Sequence, residues 1–443
     1  MKNNSIKLED LIVNNYCVII DHKPMFGIDN DSVKTKSIDW PYIIEKVKSN
    51  RVIPQFYHNT IDKKHFLPSE IQEILKRLYI AEVKQRVHQR EELEKILKAL
   101  NKREIDTLSI KGSVLSETVY NVFFDRQQID IDLIIPEINA LETVKQELAT
   151  LGFEIEETSY SNTGPKYLFI KENADTFLAI DVETSFSFNG YEYIPKKVLW
   201  ERSFRLNLED QQLVSPCLET SIILTAVHAF LAHGTITIRD LSDILMIIRK
   251  QPFDWDYLLK ISRKMGFSTL INTFLTMVHV LYDITLPAEI IETLKTDRNL
   301  ETLKIQILEG LIFPINSSDF SQSLNQAIEN EFLAVAGKNI NPKEVLKQLS
   351  YDRSFRFCTG FGEYTGDVAM SILKFNLIIQ SINVKAIEFH IAHFHFIDWI
   401  SSMGDIELAM RVKAINKLNL SGEDLRAKLV EVVTTRIVEL QRN

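Results

Sequence analysis

The sequence predicts an α+β chain: a small mixed-sheet domain flanked by N-terminal helices and a large α-helical C-terminal region. Two changes of pattern carry this expectation. Apolar residues recur at helical spacing from Trp40 to about Leu100, then fall into short strand-like runs from about Ile105 to Leu213. After Pro216 the helical spacing returns and holds almost to the end. The expected division is therefore residues 1–100, 101–213 and 214–443. A chain of 443 residues exceeds one ordinary core. With 45% apolar and 25% charged residues, the composition excludes a disordered or fibrous protein.

The elements follow in order. Ile43, Ile44 and Val47, then Ile71, Ile74, Leu75 and Leu78, mark the buried faces of the first helices. Pro68-Ser69-Glu70 suits a helix start. Glu82 to Lys98 reads as a charged amphipathic helix burying Val83, Val87, Leu93, Ile96 and Leu97. Asp106–Ile110 is a short strand, Ser113–Phe124 a helix, Ile129–Ile135 a strand ended by Pro136, and Glu137–Leu151 a helix. Phe153–Thr158, Lys166–Lys171 and Thr176–Glu183 read as strands, with a turn at Asn162–Gly164.

Charge and cysteine usage narrow the function classes. Lys and Arg total 51 against 60 acidic residues, a net charge of −9. A long nucleic-acid partner is disfavoured, because phosphate neutralisation needs a basic face. Cys17, Cys217 and Cys358 are odd in number and lack C-x-x-C spacing, so neither a disulfide framework nor a zinc knuckle is expected. The first twenty residues lack the uncharged core of a signal peptide, and the most apolar stretch, Ile222–Ala232, contains His228 and covers about half a bilayer. A soluble cytoplasmic protein without a membrane partner is expected.

The segment that carries chemistry is Leu108-Ser109-Ile110-Lys111-Gly112-Ser113, then Arg126, then Asp130-Ile131-Asp132-Leu133-Ile134. Acids at i and i+2 of a strand share a face, with Cβ atoms about 7 Å apart. Ile129, Ile131 and Leu133 then point the other way, into a core. Two carboxylates on a buried strand repel each other and lose hydration; a divalent cation removes both objections. Ala179-Ile180-Asp181-Val182-Glu183 repeats the pattern, and if its strand lies beside the first, Asp181 completes a three-carboxylate cluster. Such a cluster can hold two magnesium or manganese ions about 3.5–4 Å apart. Lys111, Gly112 and Ser113, where a strand gives way to a helix, offer a close backbone approach, a hydroxyl and a cation to a phosphate. Arg126 is a further phosphate candidate; its alternative is a salt bridge to Asp125 or Asp130.

These residues resemble the DNA-polymerase-β-like nucleotidyltransferase superfamily, whose pattern is Gly-Ser, a helix, Asp-x-Asp and a later third acid. The resemblance is nearest to the uncharacterised nucleotidyltransferase family with an LKG…L…Y…R…DIDLLV pattern. It runs through Ile110-Lys111-Gly112, Leu115, Tyr120, Arg126, Asp130–Ile134, Ile180-Asp181-Val182 and a helical segment with His228, His233, Arg239, Asp240 and Asp243. It covers roughly Trp40 to Phe267. It implies a polymerase-β-like fold and metal ligation by Asp130, Asp132 and Asp181. It also implies transfer of an NMP, AMP being the expected one, from an NTP such as ATP to a hydroxyl on a small molecule or protein, releasing pyrophosphate. Glu183 stands where that family often has His.

Bland alternatives stand beside these expectations. The acid pair suits a solvated edge strand, Lys111 a turn lysine, and Glu183 either an accessory ligand or a partner of a nearby base. His228, His233, Arg239, Asp240 and Asp243 are candidates for acceptor or nucleotide contacts, or hydrogen-bonded core residues. His390-x-x-His393-x-His395 looks like a metal motif, but on one helix His395 lies well round from the other two, and the neighbouring Phe389, Ile391, Phe394 and Phe396 favour packing. Phe357–Gly366 is glycine-rich and expected as a loop. Two other functions compete: a catalytically silent nucleotide-binding and partner-recognition module, and an RNA end-modifying enzyme that would need a basic groove.

Overall fold

Helix α1 (Trp40–Ser49) starts where the Asp39 carboxylate accepts from the Tyr42 N–H at 3.0 Å, and it buries Ile43, Ile44 and Val47. A corner at Asn50-Arg51 leads into α2 (Ile53–Ile61), and α3 (Ser69–Asn101) follows with 33 residues. The computed structural model describes residues 9–10, 12–13, 38–61, 67–161, 164–173, 176–188, 191–250, 252–308, 313–316, 319–336, 340–416 and 418–442. Cys17 and residues 162–163 of the expected turn lie outside them.

The buried face of α3 departs from the expected one. Val87 is exposed and Val83 half-buried, while Arg86, Gln89 and Glu92 are buried beside Leu93, Ile96 and Leu97. The polar residues go inward because they meet polar backbone and side chains there. Arg86 donates to Ser116 Oγ (2.9 Å) and Gln89 Oε1 (2.7 Å), and Gln89 Nε2 donates to the Ile129 carbonyl (2.9 Å). Glu92 accepts from Lys95 and Lys171, each at 2.7 Å.

The α/β part runs β1 (Leu108–Ile110), α4 (Gly112–Thr118), β2 (Asp130–Ile134), α5 (Leu141–Thr150), β3 (Glu154–Ser161), β4 (Gly164–Asn173) and β5 (Thr176–Glu183). Then come β6 (Phe186–Phe188), β7 (Tyr191–Ile194), α6 (Lys196–Trp200), β8 (Phe204–Leu208) and β9 (Gln211–Ser215). Seven strands form one mixed sheet in the order β3-β4-β5-β2-β1-β9-β8. β1 pairs antiparallel with β2 and parallel with β9, while β8 and β9 form an antiparallel hairpin. The helix expected over Ser113–Phe124 is shorter; it ends at Thr118, and Phe123–Asp125 is a separate 3₁₀ turn.

After Pro216 come α7 (Leu218–Val227), β10 (Thr235–Ile236), α8 (Ile238–Arg249), α9 (Trp255–Met265), α10 (Ser268–Tyr282), α11 (Ala288–Thr296) and α12 (Arg298–Leu308). They are followed by β11 (Ile315–Asn316), α13 (Gln322–Ala336), α14 (Pro342–Leu346), β12 (Phe355–Cys358) and β13 (Tyr364–Ala369). The last helices are α15 (Ile372–Ile379), α16 (Val384–Ala392), α17 (His395–Ser402), α18 (Ile406–Asn416) and α19 (Gly422–Arg442). The expected glycine-rich loop is thus a hairpin, with β12 and β13 paired antiparallel. No helix among the described residues is long and apolar enough to cross a membrane.

The chain divides into two compact units. The first comprises Met1–Glu156, Leu168–Val182 and Lys196–Glu331; the second comprises Glu157–Tyr167, Glu183–Pro195 and Phe332–Asn443. The core of the second is an aromatic cluster in which Phe357, Phe375 and Phe396 are fully buried around Phe355. A buried Arg436–Asp405 pair (Nε to Oδ2, 2.9 Å) ties α19 to the start of α18.

Candidate active site

β1 ends in a turn whose first residue, Lys111, has φ +55° and ψ −124°, a conformation side chains rarely adopt. The next residue, Gly112, has room for a side chain only if two neighbouring side chains shift. A Cβ at position 112 would lie 2.5 Å from Gln128 Oε1 and 2.6 Å from Arg126 Nη1, well inside contact distance. Gln128 Nε2 reaches Ser113 Oγ at 3.3 Å, so this hydroxyl faces a buried amide.

β2 then presents its acids. Ile131 and Leu133 are fully buried, as the alternation required, and Asp132 is 2% exposed. Ile129 is half-exposed, because it precedes the strand and escapes the core. β5 is the hydrogen-bonded neighbour of β2, and it carries Asp181. One carboxylate oxygen from each of Asp130, Asp132 and Asp181 lies within 4.8 Å of the other two. Three hard oxygen donors at this spacing fit a small divalent cation such as magnesium or manganese.

The electrostatics agree with that fit. Burial, together with the charges of Asp130 and Asp181, raises Asp132 to about 7, although the Lys111 ammonium works the other way. Lys111 Nζ lies 2.6 Å from Asp132 Oδ1, so the turn lysine supplies a cation directly to the buried acid. It is not a surface lysine.

Behind the turn lies a buried ionic cluster. Arg126 donates from Nε to Asp243 Oδ1 (2.8 Å) and from Nη2 to Asp243 Oδ2 (2.6 Å), and Tyr120 Oη donates to Asp243 Oδ1 (2.7 Å). The Arg126 partner is therefore neither Asp125, which pairs with His58 at 3.1 Å, nor Asp130. Burial opposes the arginine charge, but the Asp243 carboxylate more than offsets it and raises its pKa. Arg126 is a structural ion pair whose Nη1 still borders the Gly112 turn.

α8 begins with a capping box. Thr237 Oγ1 accepts from the Asp240 N–H, and Asp240 Oδ2 accepts from Thr237 N and Oγ1 at 2.9 and 2.7 Å. Asp240 also accepts from Arg239 Nη2 at 3.0 Å. α7 ends in a π-helical turn, His228–Ala232, which brings the His228 and His233 rings to 4.3 Å, edge to face. Burial, and then the nearby Lys111 and Arg51 charges, lower the His233 pKa and favour its neutral form. Arg239, Asp240, Asp243 and both histidines line the same cleft as Lys111, Gly112, Arg126, Asp130 and Asp132. Three further lining residues, Arg51, Gln128 and Thr225, have no motif that sequence reasoning recognised. Glu183, two residues beyond Asp181, accepts from Ser187 N (3.1 Å) and Ser187 Oγ (2.7 Å) and lies 3.9 Å from Lys166 Nζ.

The histidine motif of the second unit resolves differently from a single helix. Phe394 adopts a left-handed conformation (φ +61°), α16 stops at Ala392, and His395 opens a new helix. His395 Nδ1 thereby returns to within 3.0 Å of His390 Nδ1. His390 Nε2 accepts from the Cys358 N–H at 2.9 Å, and His393 Nδ1 bonds to the Phe389 carbonyl. Both ring nitrogens of His390 are engaged inside the protein, the arrangement of a packed core histidine.

Comparison with curated proteins gives no match. Comparison with solved structures gives none either. Residues 36–283, which enclose β1, β2, β5 and the helical wall of the cleft, match the family described as "Uncharacterised nucleotidyltransferase". That span is more than half of the 443 residues, and the chain belongs to this nucleotidyltransferase family.

Proposed function

We propose that the protein moves an NMP, AMP being the expected one, from an NTP to a hydroxyl of a small molecule or protein and releases pyrophosphate. The observation that carries this reading is the convergence of three carboxylates from two adjacent strands within 4.8 Å, beside a lysine and a glycine turn. Asp130, Asp132 and Asp181 would hold magnesium or manganese, with two ions expected. Bound there, the metal supplies charge neutralisation for the triphosphate and acidifies the attacking hydroxyl. The acceptor oxygen bonds to the α-phosphorus as that phosphorus parts from its α,β-bridging oxygen; pyrophosphate leaves with the oxygen, and the hydroxyl proton passes to solvent.

The side chains of the chain supply the rest. Gly112 admits a phosphate oxygen to the turn, Ser113 stands behind it, and Lys111 offers its ammonium. Arg126, braced by Asp243 and Tyr120, holds the turn from behind. His228, His233, Arg239 and Asp240 would form the wall met by the nucleotide or the acceptor. A polymerase-β-like arrangement is supported by the order of these parts: a Lys-Gly-Ser turn, a helix, Asp-x-Asp on β2 and a third acid on β5. The division into an N-terminal helical region, an α/β domain ending near residue 213 and a C-terminal helical region belongs to the same proposal.

Incubation with each labelled NTP and magnesium or manganese tests the reading. Label transfer or pyrophosphate release that vanishes in Asp130→Asn/Asp132→Asn is the expected result. Absence of both with every NTP and a broad acceptor mixture, in a folded protein, refutes it.

A further inference from the structure

The cleft holds four cationic side chains, and three have protein partners. Arg126 is held by Asp243, Lys111 meets Asp132, and Arg239 Nη2 meets Asp240. Arg239 Nε is buried with no hydrogen-bond partner among the described residues. The fourth, Arg51, makes no side-chain hydrogen bond or ion pair among the described residues, although it is half-buried in the cleft wall. A guanidinium withdrawn from water beside two other arginines is unfavourable unless an anion joins them. Burial first, then the charges of Arg239 and Arg126, act against its protonated form and outweigh the opposite pull of Asp240 and Asp130, so its pKa is lowered.

The backbone is built to keep Arg51 there. It has φ +57° at the corner between α1 and α2, a left-handed conformation that is unfavourable for a residue with a side chain. Its neighbour Asn50 is fully buried and fixes that corner. Asn50 Nδ2 donates to the Lys46 carbonyl (3.0 Å), and Asn50 Oδ1 accepts from the Ile238 N–H at the start of α8 (3.0 Å). This second bond spans 188 residues and joins the Arg51 corner to the helix that carries Arg239. A strained residue held by a buried tether, with no hydrogen bond or close ion pair to its guanidinium among the described residues, is the pattern of a preorganised anion site.

We propose that Arg51 is a polyphosphate-binding residue of the cleft, gripping the β- and γ-phosphates of a nucleoside triphosphate together with Arg239. This deepens the nucleotide-transfer reading and rests on it. The three carboxylates repel bare phosphate, so the departing diphosphate needs cations from elsewhere in the cleft. Besides Lys111, the cleft offers Arg51 and the Arg239 Nε–H, donors with no hydrogen-bond partner among the described residues. The ligand class is a triphosphate rather than a monophosphate, because a monophosphate seated at the three carboxylates has no β- or γ-phosphate to reach this pair.

The test is calorimetric titration of wild type, Arg51→Met and Arg51→Lys with four NTPs, the matching NMPs and inorganic tripolyphosphate, in Ca²⁺ to limit turnover. Loss of a charge-assisted contact predicts an NTP and tripolyphosphate Kd raised about tenfold to about a hundredfold in Arg51→Met. Arg51→Lys should fall between, while NMP and Mn²⁺ affinities stay within about twofold. Equal NTP and tripolyphosphate binding by wild type and Arg51→Met, with both proteins folded by circular dichroism, overturns the proposal. If wild type binds tripolyphosphate but no NTP, and Arg51→Met binds neither, the clamp stands and the nucleotide-transfer reading falls. If wild type binds neither ligand, both fall.

Discussion

Removing the Asp243 carboxylate should unseat the whole cleft, and its cost can be worked from the geometry. The Arg126 and Asp243 side chains are 5% and 0% exposed, so water cannot replace the lost partner. Asp243→Leu strands a buried guanidinium, which costs about 3–5 kcal/mol. It also removes the acceptor of the buried Tyr120 hydroxyl, which adds about 1 kcal/mol. The expected loss is therefore about 4–6 kcal/mol, a large share of the roughly 5–15 kcal/mol that holds an ordinary domain folded. The double variant Arg126→Met/Asp243→Leu leaves no unpaired charge and should recover at least ~2 kcal/mol relative to the sum of the single variants. Equilibrium urea unfolding followed by tryptophan fluorescence reads this, since Trp40, Trp200 and Trp255 all lie in the first unit. Simple additivity of the two single variants, or a loss under about 1 kcal/mol for Asp243→Leu, would show that the cluster does not brace the turn.

Three further outcomes follow from the site. Because burial and its acidic neighbours raise Asp132 to about 7, protons compete with metal for it, and Mn²⁺ affinity should rise about tenfold from pH 6 to pH 8; a flat titration contradicts this. The folded metal-free protein binds the extra proton between about pH 4 and about pH 7, so its stability should fall as pH rises through that window, and Mn²⁺ should restore it; thermal melts across the range show whether the sign is right. Gly112→Ala drives a Cβ into Gln128 and Arg126, which should cost about 1–3 kcal/mol, and adding Gln128→Ala should return part of it; an unaffected single variant would mean the turn has slack.

How much of this was legible depends on distance along the chain. Asp130 and Asp132 could be read because strand alternation is local, and Ile131 and Leu133 confirm the phase. Asp181 could be read only on the condition that its strand neighbours the first, which β5 meets. The Arg126 partner could not be, since Asp243 lies 117 residues away. The Arg51 corner was invisible for the same reason, because its tether to Ile238 spans 188 residues and a left-handed arginine has no sequence signature. On α3, choosing the buried face from apolar residues alone put Val87 inward and passed over Arg86, which Ser116 and Gln89 draw into the interior. In the histidine motif, a single left-handed residue, Phe394, broke the helical geometry on which the spacing argument relied.

The proposed chemistry depends on cations being held by acids from two adjacent strands. Diffraction at the manganese edge, from crystals soaked with Mn²⁺ and a non-hydrolysable ATP analogue, interrogates it directly. Anomalous density bonded to oxygens of Asp130, Asp132 and Asp181, with the analogue's phosphates against Lys111 and the Gly112 turn, is the predicted result. Bound analogue with manganese elsewhere, or no anomalous density near those three carboxylates at saturating metal, would contradict it.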